Sequence, residues 1–416
     1  MGRQRIVPYR RSVPTDRLAI SLWDFSWYTR ATDAYADLDD AVAQAVARGY
    51  NALRICAAPL LLAGGHGLPE ELGVTSLGAW PGGRRGAGTR WYDVPRDATV
   101  HLRRRLFALL EAAARHGVRV ILASWEHQQS PAFSADERWW RAIDAVPHED
   151  RLRDLAGAFT ALLADIRAAG LLDAVAFVEL HNEVDFSRVP GDAHAIDEAI
   201  GLVSREHPDV PVTVSYGKPP HRDIASLPGS LQVGQFHVYA YGVLDALQRR
   251  IDVRGTGTDG FPNAALRALL RDDAPTLAEY GRPEAWRLEA TVVTDQMLYT
   301  YDAVDPARWD RWLHEHYGEH RDAMHDAIRA RVRAIGAWAR ARDVPFVVGE
   351  GWVGYTPLRS TFEDGPVGQE LAETGIAEAV DQGAWGAVPT SNAAPHHPLW
   401  GDVAWQRRAT AMIRSA

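Results

Sequence analysis

The sequence predicts an α/β protein of the (β/α)8 TIM-barrel class, and three observations carry that prediction. Apolar, β-rich runs alternate with helical periods along the whole 416 residues, as expected for βα units around a parallel sheet. Eight such runs can be traced, the number that closes a barrel. No Gly-rich phosphate turn follows an early run, which argues against an open doubly wound sheet.

The elements follow in order. "RLAISLWDF" reads as the first strand, and a helix near 37–48 carries Leu38, Val42 and Val46 on one stripe before Gly49 stops it. "NALRICAAP" is the second strand. A polar, Gly-rich insertion, about 61–98, leads to a helix marked by Leu102, Leu106, Leu109 and Ala113, which ends at Gly117. "VRVILASW" is the third strand. Leu152, Leu155, Phe159, Leu162 and Ile166 then define a helix around 150–169, and "DAVAFVEL" is the fourth strand. A helix near 193–206 precedes "VPVTVSYG", and a short connection with almost no room for a fifth helix precedes "LQVGQFHVYAYG". From about 242 to 320 the pattern breaks into Gly, Pro, charged and aromatic residues, a second insertion. A helix with Met324, Ile328, Val332, Ile335 and Trp338 then feeds the seventh strand, "VPFVVGEGW". A helix near 367–382, the strand in "GAWGAVPTSN" and the closing helix "VAWQRRATAMI" complete a single barrel over 1–416.

Composition narrows the function. A 46% hydrophobic and 24% charged chain can bury a large core, and a net charge of −9 leaves no basic field for nucleic acid. Cys56 is the only cysteine, which excludes an internal disulfide and any thiolate zinc site. The basic N-terminus "MGRQRIVPYRRSVPTDRLAI" never reaches an apolar h-region, and no stretch is long enough to cross a bilayer, so a cytoplasmic protein without a membrane partner is expected. Ile6 stands where a myristoylation signal needs Ser or Thr.

The chemistry sits at two strand ends. In "FVELHNEVD", wall residues run straight into His181, Asn182, Glu183 and Asp185, and "PFVVGEGW" repeats the arrangement with Glu350 just after Gly349. Carboxyl-terminal strand ends of a parallel barrel converge on one face, so Glu183 and Glu350 are expected to meet across the mouth. Two carboxylates so placed suit glycoside hydrolysis, provided one keeps its proton while the other stays ionised among hydrogen-bond donors. Arg54, at the end of the second strand, is a candidate donor.

These segments resemble the acid/base and nucleophile segments of the clan A glycoside hydrolases, cellulase-like and similar to family five. The resemblance implies Glu183 as general acid/base, Glu350 as nucleophile and Asn182 as the amide that holds the sugar 2-hydroxyl. It extends to Arg54 in "ALRI" and to His237 and Tyr239 in "FHVYAY", with Tyr239 donating to Glu350. The family's tryptophan platform near the end of the eighth strand falls at Pro389-Thr390 here, with Trp385 earlier, and "NEV" replaces the commoner "NEP".

Further substrate-binding candidates lie near strand ends: Trp23 and Asp24 after the first, Trp125 and His127 after the third, Trp352 after Glu350, and Trp385. Glu179 shares the face of His181 and Glu183 if the strand is regular, a deeper acid without an assigned role. The His396-His397 pair lacks a ligand-spaced companion, so no metal and no cofactor is expected. The resulting expectation is a retaining β-glycosidase acting on soluble carbohydrate, exo-acting if the 242–320 insertion walls the cleft. The alternatives are a sugar-binding barrel without turnover and a metal-dependent sugar isomerase.

Overall fold

The computed structural model describes residues 16–218, 224–255, 260–354 and 356–415. The N-terminal stretch read above for targeting signals lies almost wholly outside them. Eight strands form the barrel: β1 (Leu18–Asp24), β2 (Ala52–Cys56), β3 (Arg119–Ala123), β4 (Val175–Glu179), β5 in two pieces (Val212–Thr213 and Ser215–Tyr216), β6 (Gly234–Tyr239), β7 (Phe346–Trp352) and β8 (Gly386–Ala387). Every adjacent pair is parallel, β8 returns to β1, and β5 closes the ring by offering its first piece to β4 and its second to β6. Alternate residues of each strand point inward, so wall and cavity are both set by period two.

The surrounding helices form where the apolar spacing places them. They are α1 (Leu38–Ala47), α2 (Leu102–Arg115), α3 (Arg151–Ala168), α4 (Ala193–Glu206), α5 (Gly242–Arg250), α6 (Pro306–Arg342), α7 (Pro366–Asp381) and α8 (Val403–Arg414). On α3 the five predicted stripe residues are all buried. On α1 Leu38 and Val42 are buried, but Val46 is 40% exposed and leaves the stripe one turn early. After β5 only a 3-10 turn, Ile224–Ser226, takes the place of a helix.

The second insertion is more helical than its sequence suggests. It opens with α5, and α6 starts at Pro306 behind the Asp305 cap, well before the expected end of the break. The difference lies in the stripe: Trp309, Leu313 and Tyr317 continue the buried stripe of Met324, Ile328 and Val332, but among so many Arg, His and Glu it is hard to see. The first insertion folds as a short helix, Pro59–Ala63, and two antiparallel strand pairs, Glu71–Val74 with Ala98–His101 and Ala79–Trp80 with Gly83–Arg84.

One irregularity positions the chemistry. Along β6 and β7 the partners step from Phe236↔Val348 to His237↔Glu350, so Gly349 is an extra residue in β7. The extra residue turns Glu350 inward beside His237. A Cβ on residue 349 would lie 2.1 Å from Gln235 Nε2, so the bulge tolerates only glycine without moving that side chain. Gly349→Ala is expected to destabilise the barrel by about 1–3 kcal/mol, read as a lower urea midpoint.

Candidate active site

Arg54 organises the cavity. A fully buried guanidinium must be neutralised and its N–H groups satisfied, and three side chains do this. Nε and Nη2 donate to the two Glu179 oxygens at 2.7 and 2.6 Å, a bidentate pair. Nη2 also donates to Asn182 Oδ1 at 2.6 Å, and Nη1 to Glu350 Oε1 at 2.7 Å. The Trp125 ring lies under the guanidinium, 4.6 Å away. Glu179, left without a role on sequence grounds, is thus the buried counter-charge that holds Arg54, and Gln235 Nε2 supports it at 3.2 Å.

Glu350 is surrounded by donors. Tyr239 donates its hydroxyl to Oε2 at 2.7 Å, and His237 Nε2 lies 3.6 Å from Oε1. Burial alone would raise the carboxyl, but His237, Arg54 and Tyr239 outweigh it and hold the group at about 2. Ser391 fixes the surroundings: its hydroxyl is 3.0 Å from Tyr239 Oη and accepts from Gly351 N at 3.0 Å.

Glu183 has the opposite environment. Its backbone is left-handed, φ 45°, and its N–H donates to Ser215 Oγ at 2.8 Å, which swings the side chain over the mouth. Oε1 meets His237 Nδ1 at 2.8 Å and Oε2 accepts from Gln128 Nε2 at 3.2 Å. Burial pushes its carboxyl above the ordinary 4.5, His237 offsets this only partly, and the negative Glu350 adds to the rise. Burial opposes a charge on His237, yet the two glutamates together raise it above 6.5. One oxygen from each glutamate and one nitrogen of His237 all lie within 4.8 Å of one another. The side chains keep 15% and 9% of their surfaces exposed, so both carboxyls reach the opening.

Hydrogen bonds and one ion-pair approach of 3.6 Å, from His237 Nε2 to Glu350, close into a ring around this point. Arg54 joins Glu350 to Asn182, Asn182 Nδ2 donates to Gln128 Oε1 at 2.7 Å, Gln128 reaches Glu183, and His237 returns to Glu350. Gln128 was not a sequence candidate, nor were Ser215, Gln235 and Ser391. They are neutral side chains in loops or wall positions, where no spacing distinguishes them from ordinary polar residues.

The structure brings together Arg54, Asn182, Glu183, His237, Tyr239 and Glu350, with Trp125 beneath. It does not bring the remaining candidates to the cavity. Trp23 is fully buried, edge-on to Tyr35 with its N–H on Ser21 Oγ, because a register shift between Leu22 and Asp24 turns it into the packing. Trp352 donates to Pro389 O at 3.1 Å and lies against Gly375 of α7, outside the wall. Trp385 precedes β8, at the end of the barrel away from the mouth, where it packs on Phe177 across the interior. His127 is fully buried near His181, whose Nε2 accepts its backbone N–H at 3.2 Å, and burial keeps both rings neutral. Asp24 is fully buried, accepts from Ser26 N and Oγ at 2.6 Å each, and faces Arg90 at 3.6 Å; burial, only partly offset by Arg90, pushes it to about 6. Arg90 in turn donates to Ser391 O, and the Glu350 charge adds to the rise at Asp24. His397 faces Asp364 at 3.4 Å and is not part of the His and carboxylate cluster found among the described residues. No helix among the described residues is long and apolar enough to cross a membrane.

A family model described as sugar-binding cellulase-like matches residues 20–218 and 281–414, most of the chain. The chain belongs to the cellulase-like family. Its two matched blocks leave out 219–280, much of the second insertion, and contain every residue of the ring except His237. Among solved structures, a protein provisionally described as a glycoside hydrolase, from Parabacteroides distasonis ATCC 8503, aligns with TM-score 0.67 and 20% identity over 96% of this chain and 94% of that one. A family 5 mannosidase from Rhizomucor miehei aligns with TM-score 0.47 and 10% identity over 96% and 93%. The endo-beta-1,4-mannanase from Thermotoga petrophila gives the same score and identity over 98% and 79%. The (β/α)8 barrel is the fold of this cellulase-like chain. No curated protein matches it.

Proposed function

We propose that this cellulase-like protein is a retaining glycoside hydrolase in which Glu350 is the nucleophile and Glu183 the general acid/base. The observation that carries the reading is the pair itself. Two carboxyls approach within 4.8 Å, one held ionised and one biased toward its protonated form. Retaining enzymes place their carboxyl groups about 5–5.5 Å apart, so that one can bond the anomeric carbon directly, whereas inverting enzymes leave room for a water. In the first step Glu350 attacks the anomeric carbon as Glu183 gives its proton to the departing oxygen. In the second Glu183 takes a proton from water, which displaces Glu350 and frees the sugar. Asn182 has one amide hydrogen committed to Gln128 and a second left for a sugar hydroxyl.

Interlocked insertions support exo action. The Asp302 carboxylate, from the second insertion, accepts from Gly86 N and Gly88 N of the first at 2.7 and 2.6 Å, and Arg85 donates to Tyr280 O at 2.6 Å. Two insertions that follow barrel strands and are tied to each other favour a pocket over an open groove.

The test is a panel of aryl β-glycosides with the first-formed anomer read by NMR. A β-anomer supports retention; an α-anomer, or background rates alongside measurable sugar binding, overturns the mechanism. The active form has Glu350 ionised and Glu183 protonated. The kcat/KM profile is therefore expected to rise through about 2 and to fall through a pKa above 4.5. Because His237 lowers both carboxyls, His237→Asn is expected to move both limbs to higher pH.

A further inference from the structure

The rim beside Glu183 holds an aromatic face and an ammonium group that the mechanism above does not use. Phe186 is 42% exposed, one of three large apolar side chains left that open among the described residues. Its N–H donates to Glu183 O at 2.8 Å, so a tight turn sets it on the same rim as the acid. Gly217 separates the two: a Cβ there would meet Glu183 Oε1 at 2.6 Å and Phe186 Cδ2 at 2.7 Å. The Lys218 ammonium lies over the Phe186 ring, 4.7 Å from its centroid. The neighbouring Asp185 carboxylate accepts the backbone N–H groups of Gly217 and Lys218 at 2.9 and 3.1 Å, which fixes the loop that carries the lysine. No carboxylate among the described residues pairs with the ammonium.

Lys218 is also the only lysine in the sequence; every other cationic side chain of the 45 is arginine. The two are not equivalent. A lysine offers a compact, rotatable point charge, whereas arginine offers a planar fork. A chain that uses arginine everywhere else places its one ammonium above an exposed aromatic ring beside the proton donor.

We infer that Phe186 and Lys218 form the leaving-group subsite and select aglycones in which a flat ring carries an anionic group. The inference rests on Glu183 being the acid, because the group that receives its proton must lie on Glu183's side of the scissile bond. There a ring packs against Phe186 and its carboxylate meets the Lys218 ammonium, a contact strengthened by the apolar surface beneath it.

The probes are phenyl and 4-carboxyphenyl β-glucosides and β-mannosides, with the matching β-glycosyl fluorides, which carry no ring to bind. The wild type is expected to favour the carboxyphenyl compound. Lys218→Met is expected to lower its kcat/KM by about tenfold while phenyl glycosides stay within about twofold. Phe186→Ala is expected to lower both aryl glycosides by about tenfold, and neither variant should slow the fluorides. Unchanged aryl selectivity in Lys218→Met overturns the subsite, and equal losses on the fluorides assign Phe186 a structural role instead. A binding arm separates this from the hydrolase reading. Reductive methylation with 13C-formaldehyde labels one ε-amine besides the α-amine, and saturation with 4-carboxyphenyl β-thioglucoside, which resists cleavage, is expected to shift that signal, whereas phenyl β-thioglucoside is not. An unmoved ε-signal at saturation, or no binding of either thioglucoside or its manno counterpart, overturns the subsite whether or not turnover is seen. Lack of fluoride turnover by the wild type bears on the hydrolase reading alone.

Discussion

Glu350→Ala is expected to lower turnover of an activated aryl β-glycoside by about five orders of magnitude, roughly 7 kcal/mol of barrier. In the proposed mechanism the loss is large because this side chain forms the covalent bond of the first step and cannot be replaced by its neighbours. Tyr239 and Arg54 donate to it and His237 faces it, so all three are arranged around an oxyanion that would no longer exist. The variant keeps that donor cluster around an empty, anion-sized space. Azide is therefore expected to bind there and restore cleavage, giving the α-glycosyl azide from a β-glycoside, since one displacement replaces two. The corresponding Glu183→Ala variant should instead slow poor leaving groups most and yield the β-azide, because Glu350 still forms the intermediate. Chromatography and NMR of the two azides decide the assignment. An α-azide from Glu183→Ala, or no rescue in either variant, would reverse or remove it.

Much of this site is legible in the sequence because strand ends carry a strong signal. An apolar run that fills a wall and ends in a polar cluster brings that cluster to the carboxyl end of its strand, and "FVELHNE" and "FVVGE" both do so. The side of the wall is not legible in the same way. A one-residue bulge exchanges inside for outside, and two of the barrel's register shifts fall at β1 and at the β6–β7 pair. Glu350 faces inward through Gly349, whereas Trp23 is lost to the packing at the equivalent irregularity in β1. Trp385 shows a different limit: the same strand that ends at the mouth begins at the far end of the barrel, and a tryptophan at the start of an eight-strand pattern reads like one at its finish. Gln128 is illegible for a third reason. Its role depends on a donor and an acceptor contributed by the loop after β4, 54 and 55 residues away, and an amide in a loop has no periodicity to betray it. Glu179 was visible as an inward acid, but its partner could be found only in space.

That partner sets the second large effect. Arg54→Met is expected to destabilise the fold by about 3–5 kcal/mol, because it leaves Glu179 buried without its counter-charge and removes one of the groups that keep Glu350 ionised. The sign with pH follows from the depressed carboxyl. Glu350 stabilises the folded chain above its ordinary 4.5, and that contribution is lost as pH falls toward about 2. Without Arg54 the folded value rises toward the unfolded one, so the window shrinks and the variant should lose less of its remaining stability on acidification than the wild type does. The double variant Arg54→Met with Glu179→Gln separates structure from chemistry. Removing both charges restores an unpaired interior to neutrality, so urea midpoints are expected to recover most of the loss. Turnover should not recover, because Glu350 and Asn182 still lack the guanidinium that joins them. Recovery of both would make Arg54 a packing residue; recovery of neither would mean that Glu179 has a role of its own beyond holding the arginine.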